Sequence, residues 1–197
     1  MSKLHWKPGT MLYPLPPVMV SCGDMDAPNI ITVAWAGTVC TNPAMLSISV
    51  RKERYSYNLI VDKGEFVVNL TTKALVRAAD FCGVRSGRDL NKFETLGLTP
   101  ENSVHLNVPL IKESPLNIEC RVRNVIPLGS HDLILAEVLG VNVDSKLLSE
   151  TGKLELDKAE LISYSHGAYF ELGKVLGTFG YSIKKNAKVK SKKRSKK

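Results

Sequence analysis

The sequence predicts a mainly β fold, an antiparallel barrel with short inserted helices. Strand-like runs outnumber helical ones, and they do not alternate with helices as a doubly wound parallel sheet requires. The chain has 197 residues with 44% hydrophobic and 23% charged side chains, an ordinary globular balance for about one domain. A chain of this size buries roughly 70% of the surface its unfolded form exposes, so its core needs no disulfide or metal.

The strands follow from period and composition. Residues 18–22 are apolar and β-branched, and the turn-rich GDMDAPN follows. Residues 30–36 (IITVAWA) read as one strand, 45–50 (MLSISV) alternate at period two, and 65–70 (EFVVNL) follow a glycine. Residues 117–126 alternate, with Ile118, Cys120, Val122 and Val125 inward, and 133–143 form a long β-branched run. Helices are expected over 54–63, stopped by Gly64; over 72–81, capped by Thr72; and over 89–96, opened by Asp89 and closed by Gly97.

The formal net charge of +8 is local. Residues 184–197 hold nine Lys/Arg and no acid, leaving 18 basic and 19 acidic residues elsewhere. The chain therefore divides into a domain over 1–183 and a lysine-rich tail over 184–197, expected to be solvated and disordered. A nucleic-acid-binding fold would cluster cations on a folded face, and the body offers no such excess. The first residues lack the apolar core of about 7–15 residues that a signal peptide needs, and no run reaches the roughly 18–20 of a membrane span. Cys22, Cys40, Cys82 and Cys120 fit no compact zinc spacing and read as reduced thiols of a cytoplasmic protein.

No nucleophile elbow, metalloprotease helix, phosphate-binding loop or dinucleotide fingerprint is present. His5, His105, His131 and His166 are far apart, and no metal site is expected. If the protein is an enzyme, a cofactor carries the chemistry. The region 29–57 is the informative one. A buried strand leads into small and hydroxyl residues at Thr38, Cys40, Thr41 and Asn42, and a second strand runs into Arg51, Lys52, Arg54 and Ser56. Small side chains let a planar ring lie against backbone amides, and cations at a strand end suit a phosphate. A hairpin with a solvated basic turn fits the same residues.

The order of motifs resembles the flavin reductase-like family, the FMN-binding split barrels that include flavoredoxins. The resembling stretches are Pro17-Val18, Asn29-Ile30-Ile31-Thr32-Val33-Ala34-Trp35, Thr41-Asn42-Pro43 and Ser49 through Ser56. They continue with Gly64-Glu65-Phe66-Val67-Val68-Asn69, Ser86-Gly87-Arg88-Asp89 with Lys92-Phe93, Glu119-Cys120, Gly129-Ser130-His131 and 169–179. The match spans about 12–182 and omits the tail.

The resemblance implies an antiparallel FMN-binding split barrel that dimerises, with FMN held non-covalently near the subunit interface. By position, Asn29 would be among the cofactor-binding residues, and Thr32, Val33, Ala34 and Trp35 would lie along the flavin ring. Cys40, Thr41 and Asn42 would touch the ring or ribityl chain, and Arg51, Ser56 and Tyr57 would hold the phosphate. Ser86, Gly87 and Lys92 would close over it, and His131 stands where reductase relatives face the nicotinamide or flavin. Plainer readings remain beside these: Trp35 as core, Arg54 paired with a surface acid, Asn69 satisfying buried backbone, Lys92 on a solvated helix face, His131 bracing its turn.

The implied function is flavin-dependent redox chemistry, either as an NAD(P)H-dependent flavin reductase with NADH or NADPH as donor, or as a flavoredoxin-type FMN electron carrier serving a redox protein partner. A third and lesser reading is nucleic-acid binding through the tail. A homodimer is expected, and no membrane association.

Overall fold

A computed structural model describes residues 1–183; the expected tail lies outside the described residues. In chain order the strands are β1 (Val18–Cys22), β2 (Asn29–Val33), β3 (Ala36–Thr41), β4 (Ala44–Val50), β5 (Glu65–Leu70), β6 (Pro100–Glu101), β7 (Leu110–Ile111), β8 (Leu116–Pro127), β9 (Asp132–Val143), β10 (Ile162–Ser165) and β11 (Ala168–Glu171). The helices are α1 (Tyr55–Lys63), α2 (Val76–Val84) and α3 (Lys92–Leu96). Seven strands form one antiparallel sheet in the order β2-β1-β5-β8-β9-β4-β3, while β6–β7 and β10–β11 pair separately. The mainly β, antiparallel architecture is as the sequence predicts.

The stretch read as one strand over 30–36 is two. β2 pairs with β1 through Val33, and β3 starts at Ala36 and pairs with β4. β2 and β3 therefore end the strand order at opposite edges, yet only Ala34 and Trp35 separate them in the chain. The sheet must curl until its edges meet at this link, where the Ser49 amide donates to the Trp35 carbonyl at 2.9 Å. β2 and β3 do not pair, so the barrel is split along this seam.

Alternation along β1 explains the two main cores. Val18, Val20 and Cys22 point into the barrel with Ile31, Ile48, Phe66, Val68 and Ile134. Met19 points outward, where Ala79 and Cys82 of α2 and Phe93 of α3 cover it. Burial on both faces makes β1 wholly apolar except Ser21, which donates to the Pro109 carbonyl at 2.6 Å.

Helix ends follow the expected residue types with two corrections. Gly64 ends α1 in the left-handed region at φ 70°, donating to the Ile60 carbonyl. Thr72 precedes a 3₁₀ turn over Lys73–Leu75 rather than capping α2 directly, and its side chain makes no capping bond. Asp89 lies outside α3; Asn91 caps it, accepting from the Phe93 and Glu94 amides at 3.1 and 3.4 Å. An Asn at this position satisfies two of the helix's free N–H groups, so the helix starts there.

A polar cluster lies between the sheet and the segment that carries β7. Asn69 donates to Met19 and Val67 carbonyls and to Ser21 Oγ, and its Oδ1 accepts from the Ile111 amide and Asn117 Nδ2. Glu119 accepts from Asn142 Nδ2 at 2.7 Å and from the Val104 and His105 amides at 3.0 and 2.6 Å. Burial opposes the Glu119 charge, but these three donors outweigh it and hold the carboxyl below its usual range. Among the described residues no helix is long and apolar enough to cross a membrane.

Candidate functional site

Two adjoining clefts open at the barrel seam and share Ile31, Arg51 and Arg54. The larger, of about 560 Å³, lies between the start of α1 and the loop after α2. That volume is within the usual range for small-molecule sites. Its wall carries Arg51, Arg54, Arg85, Arg88 and Lys92 against one acid, Glu53, with the Ser56 and Ser86 residues between them. Its α1 edge is a helix N-terminus: Arg54 occupies the cap position without a side-chain bond, and Tyr55 and Ser56 of the first turn line the cleft. Free N–H groups and guanidinium cations together suit an anion.

The smaller cleft, of about 170 Å³, is lined by Ile31, Thr32, Val33, Ala34, Trp35, Ser49, Val50 and His131 besides the shared arginines. The Trp35 and His131 rings stack with centroids 4.6 Å apart and a 39° tilt. Gly129, at φ 99°, makes the turn that brings His131 there, and Ser130 Oγ lies 2.9 Å from its Nδ1. Burial, then the nearby Arg51, lowers the imidazole pKa and so favours the neutral ring. Thr32 Oγ1 is buried without a hydrogen-bond partner. An unmet buried hydroxyl in a residue of the cleft wall is rare in a structural core and fits a polar ligand atom.

The structure distributes the sequence-predicted residues unevenly. Thr32, Val33, Ala34, Trp35 and His131 line the smaller cleft, Ser56, Ser86, Gly87 and Lys92 the larger, and Arg51 both. Asn29 is buried behind the wall, donating to Ser56 Oγ at 2.7 Å and to Cys22 Sγ at 3.6 Å. It braces Ser56 rather than facing the cleft. Gly87 crosses so close that a Cβ there would stand 2.1 Å from Asn29 Oδ1 and 2.9 Å from the Tyr55 ring, which requires glycine.

Lys92 is neither solvated nor free: its ammonium donates to the Ile30 and Cys82 carbonyls at 2.6 and 2.9 Å, tying α3 and α2 to β2. Burial lowers its pKa, and an ammonium with three donors has one left beyond those two bonds.

Two groups of predicted residues lie elsewhere. Tyr57 is one position past the cleft-facing turn of α1, and its hydroxyl donates to Asp132 Oδ2 at 2.5 Å, joining α1 to β9. Lys52 reaches the same carboxylate, 3.3 Å from Oδ1. Cys40, Thr41 and Asn42 sit at the β3–β4 turn with the cis Asn42–Pro43 bond and line neither cleft. β3 runs away from the seam from Ala36 onward, so the end of its hairpin is carried off by the strand's length.

Arg85, Arg88 and Tyr55 are cleft residues to which sequence reasoning gave no role, whereas Arg54, read either as a cation suited to a phosphate or as the partner of a surface acid, lines both clefts and makes no ion pair with a described residue. Their signal was available only as an excess of arginine in two separate stretches. Cys82 also lines the cleft, but burial pushes its thiol up to about 11, so it is not a thiolate at neutral pH.

Residues 10–173 match the model of the flavin reductase like domain. An uncharacterised protein of Archaeoglobus fulgidus is 37% identical over 130 residues, 66% of this chain and 73% of the relative. Flavoredoxin of Desulfovibrio vulgaris (Miyazaki F) superposes with a TM-score of 0.86 at 32% identity, covering 93% of this chain and all of that one. An FMN-binding protein from Thermus thermophilus shares the fold, with a TM-score of 0.75 at 20% identity over 90% of this chain and 99% of that one. The split antiparallel sheet, the cationic cleft at its seam and these matches agree: the chain belongs to the flavin reductase-like family, which includes the flavoredoxins.

Proposed function

We propose that this protein binds FMN and works as an NAD(P)H-dependent flavin reductase-type oxidoreductase, as a cytoplasmic homodimer. The observation that carries the reading is the confluence of two unlike clefts at one seam. One is cationic and edged by a helix N-terminus; the other is walled by strand backbone, small side chains and a Trp–His stack.

Arg51, Arg54, Ser56 and Ser86, with the first turn of α1, would hold the flavin phosphate. Residues 32–35 would line the ring, with Thr32 offering its unpartnered hydroxyl. When bound, FMN would supply the hydride or electron chemistry. The chain's part is to orient the ring between strand backbone and Trp35, to shield it with a neutral His131, and to fix Arg51 and Arg54 against its charged end.

Exposed apolar side chains on the unstructured arm after β11, including Leu176 and Phe179, support a second copy of the chain as partner. The four free thiols support a reducing compartment.

The likeness to a flavoredoxin favours a second reading, in which electrons pass to a redox protein partner. An absorbance spectrum of the purified protein, followed by anaerobic stopped-flow mixing with NADH and NADPH, tests both. A flavin spectrum bleached by one of the two supports the reductase. A flavin that neither bleaches leaves the carrier reading, and a colourless protein that fails to bind FMN below about 10 μM, some 7 kcal/mol of binding energy, overturns both.

A further inference from the structure

One flavin phosphate does not match the charge of the larger cleft. Arg51 is paired with Glu53 at 3.3 Å, whereas Arg54, Arg85 and Arg88 make no ion pair with a described residue. The two arginines of β8 are neutralised, Arg121 by Glu65 and Arg123 by Glu137. Like charges around one cleft repel, so this arrangement is stabilised by anions.

A phosphomonoester carries about −1.5 to −2 at pH 7, which Arg54, the partly neutralised Arg51 and the helix N-terminus would already meet. Arg85 and Arg88 remain, both on the loop after α2. The Arg88 guanidinium lies 6.0 Å from the centroid of the Tyr55 ring, and both side chains are exposed at the mouth of the cleft. A tyrosine ring with a guanidinium beside it is a surface on which a purine stacks. A flavin dinucleotide would not supply the missing charge, because each linked phosphate carries about one negative charge, no more in total than the monoester. A nicotinamide dinucleotide with an additional 2′-phosphate would, and an arginine is the residue that accommodates that group in dinucleotide sites.

We infer that Arg85 and Arg88, beside Tyr55, form a subsite for the 2′-phosphoadenosine end of the electron donor, making the protein selective for NADPH over NADH. The inference rests on the reductase reading above.

Calorimetric titration of the protein as purified, with adenosine 2′,5′-bisphosphate and with 5′-AMP, tests it without turnover. The bisphosphate is expected to bind at least tenfold more tightly. The Arg85→Ala/Arg88→Ala double variant is expected to lose that margin while FMN affinity stays within twofold, and Arg85→Lys/Arg88→Lys to retain part of the margin. Equal binding of the two probes overturns the inference, as does a margin that survives the double substitution. A parallel fall in FMN affinity also overturns it, by returning the arginines to the flavin phosphate. FAD binding more tightly than FMN, with that preference lost in the double variant, overturns it in favour of the flavin's own adenosine. Stopped-flow mixing separates the failures. A bisphosphate margin that depends on the arginines, with no bleaching by NADPH, retains the subsite and removes the reductase reading. Equal bleaching by NADPH and NADH removes the selectivity and retains that reading.

Discussion

Two polar clusters in this barrel are built alike and end differently. Around Asn69 and Glu119, buried acceptors meet buried donors, and each is bonded within the fold: Asn69 alone has five partners. At the seam, among the described residues, Thr32 Oγ1 has no partner, α1 has no side-chain cap, and three guanidinium groups pair with no carboxylate. Buried polar groups in native proteins are satisfied unless something else is to satisfy them. The first cluster therefore serves the architecture, and the second is the candidate binding surface. Residue type does not separate them, since each holds Asn, Ser and charged groups; the state of their hydrogen bonds does.

The contrast breaks most sharply at Asn69. Asn69→Ala leaves the Ile111 amide without its acceptor and Asn117 Nδ2 with only the Ile111 carbonyl, and an unsatisfied buried group costs about 1–3 kcal/mol. Urea unfolding should show a loss of about 3 kcal/mol, with FMN affinity of the folded fraction unchanged; a loss under about 1 kcal/mol would make the cluster ornamental.

Next in size is Arg54→Ala. It removes a guanidinium that has no ion pair among the described residues, so it should leave the urea midpoint unmoved while weakening FMN by about 1.5–3 kcal/mol, tenfold or more. Arg51→Ala should weaken FMN less, because Arg51 already divides its charge with Glu53. The reverse order would show Arg54 to be the peripheral cation.

The smallest effect is the pH dependence of Glu119. Its folded pKa lies below the ordinary 4.5, so the group adds stability above about pH 4.5 and loses it as the pH falls through the folded value. Glu119→Gln should flatten that acid limb of the stability curve. An unchanged limb would assign the acid sensitivity to other carboxylates.

Much of the fold was legible because it is local. β5 runs over the residues expected, Gly64 stops α1, and the alternation of β8 places Cys120, Val122 and Val125 toward the barrel. β3 was hidden because IITVAWA continues apolar across a bend that only the closing sheet imposes. Residues 32–35 of the smaller cleft were named from their motif, yet Cys40, Thr41 and Asn42, in the same motif run, are carried away by the hairpin. Arg54, Arg85 and Arg88 could not be distinguished from solvated cations, because their convergence depends on α1 and the loop after α2 meeting over β2. For Lys92 the resemblance implied a cofactor contact and the plainer reading a solvated helix face; its burial against two carbonyls was not legible, because backbone acceptors carry no sequence signal.

The central claim is that the open cluster holds the flavin's phosphate. Fluorescence titration of the apoprotein with FMN and with riboflavin, at equal ionic strength, measures it directly, since the two differ only by that group. FMN is expected to bind at least tenfold more tightly, with the margin shrinking in Arg54→Ala. Equal affinities, or a margin indifferent to Arg54, would contradict the account.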